Sequence, residues 1–314
     1  MTAAEPRTSP QPRPDDRAAA EEASAFGHDP VPPDATAAYG GHPDQVIDFY
    51  RPRSASGARP APLVALIHGG AWRAAYDRAH FSPFAAHLAA GGYAVASVEY
   101  RRGGLAESGA DGSGAPPADA GSALPPAGRW PDTLDDIAAA LDALPALAVE
   151  ALGDQTVDPR RVVLAGHSAG GHLALWAAAR HALPSESPWH RSSPPSLRGV
   201  VALAPIADFT SAIRMRVCSG AVLDLLGGPD HVTDRLPHAD PAALLPTGIA
   251  TTIVHGTTDN VVPPQVSAAF IRAARASGEE PTVSWLAATG HFPLIDPTTP
   301  ACASVVAEIG QLAW

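Results

Sequence analysis

The sequence predicts an α/β protein with a mostly parallel central sheet, helices on both faces and a small irregular cap segment. Two observations carry this reading. Short, continuous aliphatic runs recur along the chain without the in-and-out alternation of a half-exposed sheet, as expected of strands buried on both faces. Longer helical patterns separate them, and a repeated β-then-α order requires crossover connections and hence parallel strands. With 314 residues the chain is long enough for one large domain of this kind.

In chain order, residues 1–40 are rich in Ala, Pro, Asp, Glu and Arg with almost no large apolar side chain, and are expected to form a disordered tail ahead of a domain spanning 41–314. Leu63–Ile67 reads as a buried strand. Phe81–Ala90 follows as a helix ending in the cap signal Gly91-Gly92, and Ala94–Val98 is the next strand. The stretch Gly103–Gly128 holds little but Gly, Ala, Ser, Pro and Asp and reads as a mobile loop insertion, 103–128. Pro131–Leu144 is a helix. Pro131 suits its first turn, Asp132, Asp135 and Asp136 sit near its positive end, and Leu134, Ile137, Leu141 and Leu144 share one face. Arg161–Ala165, Gly199–Leu203, Thr251–Val254 and Thr282–Leu286 are further strands, interrupted over 209–246 by an irregular, cap-like helical excursion.

Composition removes whole classes of chemistry. All 21 basic residues are arginine, so a Walker-A phosphate loop, Schiff-base or pyridoxal chemistry and a Ser-Lys dyad cannot be built. A net charge of -11 repels a polyanion, and no nucleic-acid partner is expected. Cys218 and Cys302 stand far apart without ligand spacing, so neither a disulfide framework nor a metal site is expected, and no cofactor is called for. Met1–Pro14 lacks an apolar signal-peptide core, and no stretch reaches the length of a membrane span. A cytoplasmic protein without a membrane partner is the expectation, with the oligomeric state left unspecified.

Gly166-His167-Ser168-Ala169-Gly170 matches G-x-S-x-G and lies at a strand-to-helix junction, where a nucleophile elbow must be. Small flanking residues are required because the tight turn leaves no room for side chains, and the helix that begins at Ser168 aims its positive end at the reaction centre. His68-Gly69-Gly70-Ala71-Trp72 follows the first buried strand. Its glycines allow backbone amides to face an oxyanion, which makes Gly70, Ala71 and Ala169 the candidate donors. His68 reads as a loop anchor, and Trp72 either walls the acyl pocket or packs beneath the loop.

A serine nucleophile needs a base and the base an orienting carboxylate. Asp259 follows the strand at Thr251–Val254, and His291, the only histidine downstream of it, follows Thr282–Leu286. Ser168, Asp259 and His291 are therefore the candidate catalytic residues, with Asp208 as the competing acid. His167, His172 and His255 are expected in the core or behind the site. Glu99 and Arg101 are expected on a solvated rim of the cleft, and the His238/Asp240 pair at a surface turn, with no metal.

These motifs, with Gly171-His172-Leu173, Gly256-Thr257-Thr258-Asp259 and Gly290-His291-Phe292, resemble the α/β-hydrolase family over roughly Val46–Ala313. Within it the sequence is similar to esterases with an HGG-type oxyanion loop, including BD-FAE-like carboxylesterases and kynurenine formamidases. The resemblance implies an α/β-hydrolase fold and a cofactor-independent serine hydrolase acting on a small carboxylic ester. An arylformamidase acting on N-formylkynurenine-like formamides is the alternative. Acyl transfer and an inactive binding scaffold are the remaining readings.

Overall fold

The computed structural model describes residues 14–54, 59–104 and 127–314. In chain order its elements are α1 (Pro14–Phe26), β1 (Ala35–Ala38), β2 (Val46–Tyr50), β3 (Ala61–Ile67), α2 (Ser82–Ala90), β4 (Ala94–Val98), α3 (Asp132–Leu152), β5 (Val157–His167) and α4 (Ala169–Ala178). There follow β6 (Gly199–Leu203), α5 (Phe209–Arg214), α6 (Ala221–Leu225), α7 (Val232–Ala239), β7 (Thr251–Gly256), α8 (Pro264–Ala276), β8 (Thr282–Leu286) and α9 (Pro300–Ala313), with short 3-10 turns between them.

The strands form one sheet in the order β1-β2-β4-β3-β5-β6-β7-β8. The pairings from β4 across to β8 are all parallel, and at one edge β2 pairs antiparallel with both β1 and β4. Alternate residues of each central strand enter opposite cores. Leu63, Ala65 and Ile67 of β3 join the layer containing Leu134 and Ile137 of α3, Leu173 and Trp176 of α4 and Phe270 of α8. Val64 and Leu66 join the other layer, with Phe84 and Leu88 of α2 and Val305 and Ile309 of α9. This two-sided burial is the physical reason the strands read as unbroken aliphatic runs.

Two segments differ from the sequence expectation, and a third is largely undescribed. Within the expected tail, α1 and β1 are ordered elements: Ala25 is buried in the second core, and β1 pairs with β2 from Ala35↔Phe49 to Ala38↔Val46. Helix α3 continues past Leu144, through Pro145, to Leu152. Leu144, Ala148 and Leu152 extend its buried face at four-residue spacing, enough to offset the roughly 3 kcal/mol penalty of an interior proline. Of the expected insertion, residues 105–126 lie outside the described residues; at its ends, Gly103 and Gly128 both donate their amides to the Trp72 carbonyl, at 2.9 and 2.8 Å.

Register brings the carboxyl ends of the central strands level. Ile67 pairs with Gly166, His167 with Leu203 and Gly256 with Leu286, so the loops that follow β3, β5, β7 and β8 open along one edge of the sheet. Open parallel sheets bind their ligands there. The segment between β6 and β7 lies over this edge as α5, α6 and α7 with intervening turns.

Candidate active site

At the junction of β5 and α4, Ser168 adopts φ 57° and ψ −117° and is 3% exposed. This torsion pair is unfavourable for a residue with a Cβ, and the surroundings hold it: the Ser168 amide donates to the Leu203 carbonyl at 2.8 Å, and its own carbonyl accepts from His172 at 3.1 Å. The flanking glycines are needed for close approach. A Cβ on Gly166 would overlap the Gly170 carbonyl, and one on Gly170 would overlap that of Ile67. The elbow therefore rests on β3 as well as on its own strand.

His291 and Asp259 meet across the β7 and β8 loops, with Nδ1 of His291 2.6 Å from Oδ2 of Asp259. Oδ1 of Asp259 accepts from the amides of Val261 and Val262, both at 2.9 Å. The fully buried His255 lies 3.2 Å from Oδ2 through Nε2, which also faces the Val262 carbonyl at 2.9 Å. Both of these oxygens can only accept, so Nε2 of His255 carries the hydrogen and Nδ1 takes the Ser267 hydroxyl at 2.8 Å. Burial by itself would raise the Asp259 carboxyl. The charge of His291 and the hydrogen bonds from the two histidines outweigh it and hold the group well below the usual carboxylate range.

His167 stands behind His291, its Nε2 3.1 Å from the His291 carbonyl, and burial together with the charge of His291 keeps its pKa far below the ordinary histidine value. It supports the His291 backbone as a neutral donor. Asp208, the competing acid, accepts from the Ser211 amide at 2.6 Å as the N-cap of α5, so its carboxylate is committed to that helix.

The loop after β3 is strained: Gly70, Ala71 and Trp72 all have positive φ, at 100°, 51° and 54°. Among the described residues no backbone hydrogen bond outside helices and strands is donated by the amides of Gly70 and Ala71, and Ala169 occupies the first helical position of α4, ahead of any intrahelical acceptor. His68 anchors the loop from below. Its Nε2 lies 2.8 Å from Glu99 and its Nδ1 2.9 Å from the Gly69 carbonyl, while its ring stacks on Tyr100 at 4.5 Å.

Ser168, His291, Gly70 and Ala71 line a single cavity of about 400 Å³. Asp259 sits behind His291, and Ala169 is buried beside Ser168 without lining the cavity. Trp72 does not wall the pocket. It is wholly buried beneath the loop, edge-on to His172 at 5.2 Å and to Phe209 at 6.2 Å. Two other expectations are corrected. Glu99 is 1% exposed rather than at a solvated rim, because His68, Arg78, Arg102 and the Tyr100 amide supply donors to both its oxygens. Arg101 is tied to Asp136 at 2.7 Å, away from the cavity.

Asp240, expected at a surface turn, is 3% exposed and caps a 3-10 turn through the Ala242 amide while also accepting from Phe209. Among the described residues no cluster of His, Cys, Asp and Glu is arranged to hold a metal ion. Sequence reasoning did not name Glu22, Phe26, Arg73, Tyr76 or His80, which also line the cavity. The last three follow the HGG loop within ten residues, a proximity that could have flagged them, whereas nothing in the sequence marks Glu22 and Phe26.

The BD-FAE family model matches residues 47–111 and 124–273, and the interval it leaves out lies within the expected insertion. The chain is 25% identical over 247 residues to "Probable carboxylic ester hydrolase LipM" of Mycobacterium tuberculosis, covering 76% of this chain and 50% of that one. It is 24% identical to "Probable isoprenylcysteine alpha-carbonyl methylesterase ICME" of Oryza sativa subsp. japonica, covering 76% and 53%. The chain thus spans about half the length of the curated relatives it matches. Among solved structures, esterase B from Lactobacillus rhamnosis inhibited by a tributyrin phosphonate superimposes with a TM-score of 0.70 at 22% identity, over 95% of this chain and 92% of that one. This likeness bears on the fold. Among the described residues no helix is long and apolar enough to cross a membrane.

Proposed function

The chain belongs to the BD-FAE family, and from that premise and the geometry of the site we propose that it is a serine hydrolase cleaving a small carboxylic ester through an acyl-enzyme. The observation that carries the proposal is the 2.6 Å contact between His291 Nδ1 and Asp259, made where His291 shares a cavity with the strained Ser168. With Nδ1 committed to the carboxylate, Nε2 is the ring nitrogen left to accept a proton.

In this reading Ser168 Oγ attacks the ester carbonyl as His291 Nε2 takes its proton. Asp259 fixes the imidazole tautomer and stabilises the imidazolium. The amides of Gly70, Ala71 and Ala169 face the developing oxyanion, joined by the positive end of α4. The alkoxide leaves with the proton from His291, and water, activated by the same nitrogen, hydrolyses the acyl-enzyme. The ester names carried by the relatives favour an ester over a formamide, and a cavity of about 400 Å³ suits a small acyl group. A cytoplasmic location belongs to the same reading, supported by Cys218 and Cys302 both being free thiols.

A fluorophosphonate probe should label Ser168, and Ser168→Ala should abolish both labelling and p-nitrophenyl acetate turnover. Full turnover in that variant would overturn the mechanism. N-formylkynurenine in the same assay tests the formamide reading, and added alcohol or amine acceptors test acyl transfer.

A further inference from the structure

Helix α1 lies outside the residues matched by the family, yet it forms one side of the cavity. Two stripes on it explain how. Arg17, Glu21 and Ser24, followed by His28, recur at three- and four-residue spacing and grip the loop that carries His291. Arg17 donates to the Ala288 carbonyl, a Cβ on Gly290 would overlap the Glu21 carboxylate, and Ser24 and His28 reach the buried Asp296 at 2.5 and 2.9 Å. The second stripe, Ala18, Glu22 and Phe26, turns toward the cavity. Phe26 closes its end against Tyr76, His80 and Phe292, with ring centroids 5.2 to 5.8 Å apart.

Glu22 is half-buried, and after burial its negative charge is the next cause that raises the Tyr76 phenol above its ordinary value. Among the described residues no basic side chain forms an ion pair with it. The other charged group of the wall, Arg73, lies 3.1 Å from the Cys218 carbonyl and 3.8 Å from the Asp224 carboxylate, which opposes its charge. Among the described residues, Glu22 is therefore a carboxylate of the cavity wall with no cation paired to it.

Resting on the hydrolase reading, we infer that α1 is a substrate-selecting wall and that Glu22 is its specificity residue, favouring esters whose acyl group ends in a cation and rejecting those ending in an anion. An ammonium group meeting the carboxylate in this half-enclosed site gains a charge-assisted interaction, whereas an anion meets like charge.

The test uses p-nitrophenyl esters of one acyl length ending in trimethylammonium, tert-butyl or sulfonate, assayed with the wild-type chain, Glu22→Gln and Glu22→Arg. In the wild type kcat/KM should fall in that order. The cation-to-anion ratio should drop on the order of tenfold in E22Q and invert in E22R. An unchanged ratio in E22Q, which keeps the shape of the side chain and so does not depend on E22R folding, overturns the inference. Fluorophosphonate labelling of each preparation separates the two failures. Labelled Ser168 with an invariant ratio refutes the role of Glu22 alone, while absence of both labelling and turnover in the wild type refutes the hydrolase reading and the inference with it.

Discussion

Replacing Asp259 with asparagine tests the assignment of the acid most directly, because the effect follows from a count of donors. Four N–H groups converge on this carboxylate: the amides of Val261 and Val262 on one oxygen, the rings of His255 and His291 on the other. An amide offers one oxygen and one NH2, so in either orientation the NH2 is aimed at two donors. If it faces the backbone amides, two buried N–H groups are left unsatisfied, at about 1–3 kcal/mol each. If it faces the rings, it donates to His291 Nδ1 and moves the imidazole hydrogen to Nε2, where it can no longer accept the serine proton. The expected result is a loss of kcat of about 10³–10⁴ and a destabilisation of about 2–4 kcal/mol, read as a fall in Tm of roughly 5–10 °C. Asp208→Asn is the control. Asn caps a helix about as well as Asp, so kcat should stay within about twofold. Equal losses in the two variants, or an Asp259→Asn enzyme keeping more than about a tenth of wild-type kcat, would refute the reasoning. The pH dependence has a fixed sign. The folded-state pKa of Asp259 is depressed below 3.8, so its stabilisation is present above that pH and fades as pH falls toward the folded value. The stability gap between wild type and variant should be constant from about pH 5 to 8 and shrink in acid.

Further outcomes follow from other positions. Gly69→Ala would place a Cβ 3.0 Å from the His167 carbonyl and 3.2 Å from Ser168 Cβ, displacing the proposed nucleophile by a few tenths of an ångström; a loss of about tenfold in kcat with at most about 2 kcal/mol of stability, from steady-state kinetics and thermal melts, is expected. Trp72→Phe should leave the acyl-length profile unchanged and lower stability by at most about 2 kcal/mol, because the ring lies outside the cavity and its buried indole N–H has no partner among the described residues, so that only packing is lost. Asp240 has its carboxyl pushed up to about 7 by burial, against the opposing pull of the Phe209 and Ala242 amides. The folded state thus holds a proton that the unfolded chain releases, and stability declines as pH rises from about 4 to 7. Asp240→Asn should raise Tm at pH 8 and lose that advantage near pH 4, and melts at the two pH values check it.

The sequence was most legible where one physical requirement dominates. Strands buried on both faces must be aliphatic throughout, so Leu63–Ile67 and Gly199–Leu203 stood out, and a turn as tight as that at Ser168 leaves no choice but glycine at 166 and 170. Helix α1 was missed because its contacts are not those of an apolar stripe. Its docking relies on Arg17, Ser24 and His28 finding acceptors some 270 residues away, and composition cannot encode a partner at that distance. The extent of α3 was misjudged for the opposite reason, since a local rule about proline gave way to burial of Ala148 and Leu152.

Glu99 shows how a charge read as solvent-exposed comes to support the site. Ala71, Trp72 and Ser168 each occupy positive-φ torsions that cost of order 1–3 kcal/mol and persist only if the surroundings hold them. The HGG loop has few apolar contacts to offer beyond Trp72, and its glycines lend no stiffness. The constraint comes from the buried Glu99 instead. One of its oxygens takes His68 at 2.8 Å and Arg102 at 2.6 Å, and the other takes the Arg78 amide at 2.9 Å, tying together both ends of the loop and the end of β4. His68, Arg78 and Arg102 outweigh the burial that would otherwise raise the carboxyl and lower it to about 2, so the charge persists at neutral pH. A wholly apolar anchor could fill the same space but would not fix the direction of the His68 ring, whose Nδ1 faces the Gly69 carbonyl at 2.9 Å. Holding that carbonyl fixes the plane of the peptide it shares with the Gly70 amide, and so links a buried ion pair to the proposed oxyanion donors.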